Sequence, residues 1–390
     1  MDNPEKTLIS GFKMTNTYIS LLSNDKTASQ KDIYPIIRRG ILSGSIQINP
    51  ALRPEIPSVE AIQTLWQKNE AIYLPEILKA DLEQFADEIK QSRNLYQAIL
   101  DEAEVETILD EKPYTDLLGE KFQLLSTRFD EADPQEILSV DFDVMDGDSL
   151  VMEDIWMRIS WLSFHEEDAS LRFRFSFGME NFEDVSSDPE RQLAAAELSQ
   201  RVFPESVIIT ENETFIQLLQ HVLSLPALKF VERIIYFNAP NGGAQFHHDA
   251  EKGHLGVVYA QLTGETFWLA LSREQLVHEI TQFISIQENL GELIQLIDNE
   301  IQCSLFISNL QHQSKIAEML NEPGHEEMTI LLNQSPLFFK QLVDAGYASC
   351  LKAGDVILLP QESMTNCAWH SVFCVSEEAG EALSFAIKPA

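Results

Sequence analysis

The sequence predicts an α+β protein: a small β-barrel or sandwich toward the C-terminus, preceded by helical sequence and interrupted by a helical insertion. Three observations carry this. In LRFRFSF, Leu171, Phe173, Phe175 and Phe177 alternate with Arg172, Arg174 and Ser176, the period-2 pattern of a strand with one apolar face. The C-terminal half then offers several short β-type runs separated by glycine-rich or acidic turns: RIIYFN, AQFHHD, LGVVYAQL, ETFWLAL, AGDVILLP, HSVFCVS and LSFAIK. That texture belongs to barrels and sandwiches. Between those runs, residues 272 to about 346 carry helical periodicity instead. A chain of 390 residues has room for two domains or one enlarged domain. The expected division is a mainly helical N-terminal region, residues 1–150, and a β-barrel domain, residues 151–390, with the insertion inside it.

The elements follow in order. The first seventy residues are weakly periodic, contain Pro50, Pro54 and Pro57, and read as a partly helical extension. AIYLPEILKADLEQFADEIK gives a short strand and then a helix with Leu78, Leu82, Phe85, Ala86 and Ile89 on one stripe. Acidic helical sequence continues to about residue 135. WMRISWLSF then pairs with LRFRFSF through the turn HEEDAS as a hairpin. Its arginines are either solvated or, if their face lines a pocket, able to grip an acidic group. A helix is expected around Arg191–Val202 and another from Thr210, where Thr210 and Glu213 form a capping-box pattern before Phe215, Leu218, Leu219 and Val222. In the insertion, Ser272 and Gln275 form a further capping box, and Leu290, Leu293, Ile294 and Ile297 form a stripe. SPLFFKQLVDAG opens on Ser-Pro and closes on Gly346. Such an insertion covers the mouth of a site or makes a homo-oligomer contact, and the sequence does not choose between them.

Acidic residues number 62 and basic residues 27, a formal net charge of −35. A field of that sign repels phosphate backbones, so no nucleic-acid partner is expected. It serves either solubility or the attraction of a cationic substrate or basic partner. The acidic run Asp141–Asp154 is not an EF-hand, because placing Gly147 at the sixth loop position leaves Phe142 and Val144 where oxygen ligands are needed. No apolar run approaches the roughly 20 residues of a membrane helix, and MDNPEKTLIS lacks a secretory pattern. Cys303, Cys350, Cys367 and Cys374 show no C-x-x-C spacing, against a zinc knuckle or a disulfide framework. The expectation is a soluble cytoplasmic protein with reduced thiols and no membrane partner.

The chemistry concentrates in AQFHHDAEKGH, Ala244–His254, with three histidines and one aspartate. On an extended strand His247 and Asp249 point to one face and His248 to the other. An imidazole and a carboxylate so spaced can take adjacent corners of an octahedral metal, but they need a third ligand from elsewhere. His370 is the candidate, standing between AGDVILLP and SVFCVS on a strand that would neighbour the first. A His, Asp, His set is the facial triad that suits non-haem Fe(II) and leaves three positions open. The plainer alternative makes His247 and His370 core histidines and Asp249 a turn residue. His254 is left out of the metal set as a residue that could touch substrate, and His221 and His278 sit on predicted helices as packing or surface residues.

The order H-x-D, then AQLTGETFWLAL, then LKAGDVILLPQESMTNCAWHSV resembles the JmjC or cupin-like group of Fe(II)/2-oxoglutarate-dependent oxygenases over roughly residues 230–390. That resemblance implies a double-stranded β-helix (jelly-roll) core. It implies Fe(II) held by His247, Asp249 and His370, and 2-oxoglutarate as a cosubstrate split to succinate and CO₂. The implied reaction is hydroxylation of an unactivated C–H bond in an amino-acid, peptide or protein substrate. Many members place a lysine after the hairpin turn to pair with the far carboxylate of 2-oxoglutarate; Thr266 stands there in this chain, able to donate a hydrogen bond but not a charge. Lys388, on the final strand with Ser384 and Ala386 on its face, is the expected basic partner, with Arg158, Arg172 and Arg174 next. Two other readings stay open: a cupin-type metalloenzyme that uses no 2-oxoglutarate, and a non-catalytic barrel that binds or scaffolds.

Overall fold

The computed structural model describes residues 18–22, 33–38, 42–129, 136–162, 169–176, 179–180, 183–184, 188–251 and 253–390. The N-terminal MDNPEKTLIS, most of the HEEDAS turn, Phe177 and Lys252 lie outside them. The described chain divides into two compact units, one of Met1–Pro54 with Val277–Ser349 and one of Glu55–Leu276 with Cys350–Ala390. The division differs from the expected one at residue 150, because the strands on both sides of that position pair with each other.

In the first unit, β1 (Ile19–Leu22), β2 (Ile33–Arg38) and β3 (Leu42–Ile48) form an antiparallel sheet in the order β1-β3-β2. The first seventy residues, expected to be a partly helical extension, do carry the helix Val59–Gln67, but LSGSIQI also supplies a strand that was not expected, despite its serines and glycine. Helices Gln287–Leu296, Glu300–Leu310, Gln313–Leu320, Glu326–Gln334 and Pro336–Asp344 follow, with Leu293, Phe306, Ile316, Leu331, Phe338 and Leu342 buried. Ser335 accepts from the Phe338 N–H and Pro336 takes the first helical position, as Ser-Pro predicts.

The second unit carries β4 (Ile72–Leu74), β5 (Phe122–Arg128), β6 (Glu136–Asp146), β7 (Ser149–Trp161), β8 (Leu171–Phe175), the short ribbon β9 (Met179–Glu180) and β10 (Glu183–Asp184), and β11 (Leu228–Asn238). It continues with β12 (Gly243–His247), β13 (Gly256–Gln261), β14 (Glu265–Ser272), β15 (Ala348–Lys352), β16 (Val356–Pro360), β17 (Ala368–Cys374) and β18 (Gly380–Pro389). Nine of these make one sheet in the order β4-β16-β13-β18-β11-β8-β7-β6-β5, and four make another in the order β12-β17-β14-β15.

Alternation along the strands builds two cores on the two faces of the large sheet. Val258, Ala260, Leu358, Leu383, Phe385 and Ile387 face one way, into a core shared with Ile62, Ile89, Leu198 and Leu219 of helices Val59–Gln67, Ala86–Leu100, Pro189–Val202 and Glu213–Leu223. Val257, Tyr259, Ile357, Leu359 and Ala382 face the other way, against Trp268, Leu351, Ala368 and Val372 of the small sheet. The two sheets therefore meet across an apolar layer.

The expected hairpin is present as β7 and β8, with Met157 opposite Phe175 and Trp161 opposite Leu171. Leu171, Phe173 and Phe175 lie in the helix-side core, which leaves Arg172 and Arg174 on the sheet face that looks toward the small sheet. The helix expected from Thr210 starts later, at Glu213: Asn212 accepts from the Phe215 N–H, while Thr210 ends the preceding turn of helix. The Ser272–Gln275 capping box is reciprocal as predicted, the Ser272 N–H donating to Gln275 Oε1 at 2.8 Å and the Gln275 N–H donating to Ser272 Oγ at 3.2 Å.

Candidate metal centre

The site is built where β12 meets β17. Gly243 opens β12 at a φ of +151°, and a Cβ there would stand 2.1 Å from the Val372 carbonyl oxygen, so only glycine allows so close an approach. Along the pair, Ala244 is opposite Val372 and His247 is opposite His370. Three steps on β12 therefore match two on β17, a β-bulge. It sets the two histidines directly across from each other, with ring centroids 4.2 Å apart and planes inclined at 54°.

Asp249 is not on the strand, as simple alternation assumed, but two residues beyond its end. It nonetheless reaches the same side. Its Oδ1 lies 3.4 Å from His247 Nε2 and its Oδ2 lies 3.4 Å from His370 Nε2. One donor atom from each residue falls within 4.8 Å of the others. Ligand atoms on neighbouring corners of an ion with bonds of about 2.1 Å are about 3.0 Å apart, so each imidazole already stands near that spacing from one oxygen of Asp249.

The protonation states also suit a metal. The His247 Nδ1–H donates to the Gln245 carbonyl at 2.7 Å, which leaves the Nε2 lone pair for a ligand bond. Burial pushes His370 down to about 3, with His247 adding to the effect and Asp249 opposing it, so its ring is neutral near pH 7. Burial pushes the Asp249 carboxyl up, but its neighbours His370 and His247 outweigh that and hold the group well below its ordinary range. A neutral His370 and an ionised Asp249 result, two ligands already in the deprotonated form that a metal needs. Trp268 stacks on His370 at 5.4 Å and 24° and fixes its ring. His248 points away, edge-on to Trp369 at 5.1 Å, with its Nδ1 accepting from the Ala250 N–H at 3.2 Å.

The two residues expected to hold a cosubstrate fare differently. Thr266 is fully buried; its hydroxyl donates to Gln261 Oε1 at 2.7 Å and accepts from the Trp268 indole at 3.0 Å. Its single proton is spent inside the protein, which corrects the expectation that it donates to an acid in the site. It belongs to a buried chain from Asn238 through Tyr259 and Gln261 to Trp268, which positions the ring under His370. The paired polar residues Gln261 and Thr266, flanking the Thr-Gly turn, are the sequence signal of that chain. Lys388 is half-buried on the face of Ala382, Ser384 and Ala386, and its Cε passes beside Gly253. Across the same face, Arg172 is opposite Tyr236 and Arg174 is opposite Ile234, with Arg172 donating to Ser160 Oγ at 2.9 Å. Tyr236 is pushed up to about 12, by burial first and then by Asp249, with Arg172 and Arg174 pulling the other way.

A two-histidine, one-carboxylate group on the small sheet, beside the large one, is thus what the fold presents. No family model and no curated protein matches the chain. Among solved structures it is similar to the non-heme alpha ketoglutarate dependent epimerase SnoN from nogalamycin biosynthesis, at 10% identity over 88% of this chain and 84% of that one, with a TM-score of 0.33. It is also similar to YcfD, a ribosomal oxygenase from Escherichia coli, at 11% identity over 70% of this chain and 41% of that one, with a TM-score of 0.20. YcfD in complex with cobalt and succinic acid matches at 13% identity over 70% and 42%, with a TM-score of 0.20. The chain thus spans less than half the length of YcfD. At these identities and TM-scores the likenesses decide nothing about activity, and the functional reading rests on the site. Among the described residues no helix is long and apolar enough to cross a membrane.

Proposed function

We propose that the protein is an Fe(II)- and 2-oxoglutarate-dependent oxygenase that hydroxylates a C–H bond of an amino-acid, peptide or protein substrate. On this reading the two sheets are the halves of a double-stranded β-helix. The observation that carries the proposal is the His247, Asp249, His370 group, with three donors converging and the remaining coordination positions left for small molecules. Iron bound there would supply activation of O₂ coupled to splitting of 2-oxoglutarate. The chain's own residues hold His370 neutral and Asp249 ionised, seat His370 on Trp268, and line the inner face with basic groups. A carboxylate taken between the sheets needs a positive partner, since burying it unpaired is costly. Lys388 is the proposed anchor, and the arginine row at Arg172 and Arg174 is its rival for that role. The acidic surface favours a cationic substrate, and Ile294, Ile301 and Leu305, exposed at 56%, 82% and 62% on the helical insertion, support self-association there.

The deciding experiment is succinate formation from 2-oxoglutarate by the protein loaded with Fe(II), with and without O₂, while amino acids and basic peptides are screened for coupled turnover. Protein-, iron- and O₂-dependent succinate is expected, and its absence in metal-loaded protein would defeat the 2-oxoglutarate assignment. Lys388→Ala should weaken 2-oxoglutarate binding by roughly 10- to 150-fold, the loss of a charge-assisted bond of about 1.5–3 kcal/mol. Unchanged binding in Lys388→Ala with loss in Arg174→Ala moves the anchor to β8. One observation favours a second reading, a metalloenzyme that uses no 2-oxoglutarate: the Thr266 position offers neither charge nor a spare proton. Metal uptake without any succinate would select it.

A further inference from the structure

A second group of metal-type ligands stands apart from the first. Glu232, Glu251 and His254 offer two carboxylates and one imidazole, with donor atoms within 4.8 Å of one another. Glu232 sits at a φ of +48°, where β11 bulges against β18: Val231 is opposite Ala386 and Ile234 is opposite Ser384, three steps matching two. His254 lies just before β13, its N–H donating to the Glu251 carbonyl at 3.1 Å, while the next residue, Leu255, is tied to β18 through the Ile387 carbonyl. The imidazole is 98% buried, being 2% exposed. Its Nε2 is 3.1 Å from Glu232 Oε1, yet that nitrogen forms no hydrogen bond of acceptable geometry.

That combination is informative. A ring N–H pairing with a carboxylate puts the oxygen on its own axis, whereas here the oxygen is close but off-axis. Two ligands of one ion sit in just this relation, about 3.0 Å apart around bonds of about 2.1 Å, with each lone pair aimed at the shared centre rather than at the other ligand. When ionised, the two carboxylates carry two negative charges, which a divalent cation balances. Lys388 passes beside Gly253 but forms no ion pair with either carboxylate among the described residues. Glu251 is exposed, giving an ion a way in.

We propose that Glu232, Glu251 and His254 form a second divalent-cation site, of the imidazole-and-carboxylate type that takes manganese, iron or zinc. Glu251 follows Asp249 by two residues, and an ion here would stake the segment between β12 and β13 to the bulge of β11. Its role is to position Asp249, so that filling the second site steadies the first. The site does not depend on the oxygenase reading.

The test is Mn(II) titration of chelator-treated, full-length protein, counting sites by electron paramagnetic resonance and by calorimetry. The parent should take up two equivalents. His370→Ala should keep one, and that one should weaken at least about 10-fold in the further variants Glu232→Gln, His254→Gln and Glu251→Gln. In the His370→Ala background Mn(II) should still raise the melting temperature, and adding Glu251→Gln should reduce the rise at the same Mn(II) concentration. Glu251→Gln is an exposed, near-isosteric change, so it decides the matter if a buried variant fails to fold. One equivalent in the parent that vanishes in His370→Ala and is unaffected by Glu251→Gln would overturn the proposal, as would, in the His370→Ala background, a Mn(II)-induced rise in melting temperature that Glu251→Gln leaves undiminished.

Discussion

Asp249, partly exposed, and the fully buried pair Glu205 and Glu381 are carboxylates of the same unit whose acidities shift in opposite directions. Glu205 and Glu381 are both fully buried, with Ser92 Oγ donating to Glu381 Oε2 at 2.7 Å. Burial pushes Glu205 up to about 7, against a hydrogen bond with Glu381. It pushes Glu381 well above its ordinary value, with the charge of Glu205 next in importance. Two acids with no cation between them keep a proton. Asp249 is only partly withdrawn, its side chain 37% exposed, and it has an imidazole on either side, so it stays ionised. Burial alone therefore does not say which carboxylate is ready for a metal; the neighbours decide.

The comparison breaks most visibly at Asp249. Asp249→Ala should cost more than about 100-fold in Fe(II) affinity, beyond what loss of an outer-shell partner costs, and His247→Ala and His370→Ala should behave alike; calorimetric titration of the three variants measures it. The next effect concerns pH. Between about 4.5 and about 7 the folded protein keeps a proton on Glu205 that the unfolded chain has released, so the pair's contribution to stability falls as pH rises through that window and is lowest above it. Glu205→Gln should flatten that fall and gain about 1–3 kcal/mol relative to the parent on going from pH 5 to pH 8. Denaturant melts at the two pH values check this, and equal slopes would remove the shared proton. The smallest effect belongs to His248. His248→Ala should leave Fe(II) binding within about twofold of the parent, because the ring faces Trp369 on the far side of the strand; a large loss would break the facing assigned to β12.

Much of the centre was legible in the sequence. His247 and Asp249 emerged from the H-x-D spacing, and His370 from its place after GDVILLP, because ligands on neighbouring strands need only the right side-chain facing. The hairpin with Phe173 and Arg174 on opposite faces was legible for the same reason. The bulge that sets His247 across from His370 was not, since an extra residue in a ladder leaves no mark in the alternation of AQFHH. Thr266 was misjudged because its partners, Gln261 and Trp268, claim its hydroxyl only once the turn has folded. His254 was set aside because Glu232 lies far from it along the chain and is turned toward it by another bulge. The strand Leu42–Ile48 was missed because serine and glycine dilute its apolar period, and it is pairing with two other strands that makes it β.

The placement of His370 opposite His247 has a topological consequence. Some 120 residues of chain separate Asp249 from His370, and a cation shared by the two would tie off that stretch as a covalent cross-link does. In the chain-entropy picture, closing a loop of roughly 100 residues removes about 4–5 kcal/mol of freedom from the unfolded chain. The six helices between Arg273 and Asp344 lie wholly within the tied-off loop. The metal would then act as a removable rivet, and stripping it would release that stretch at the same moment that it empties the site.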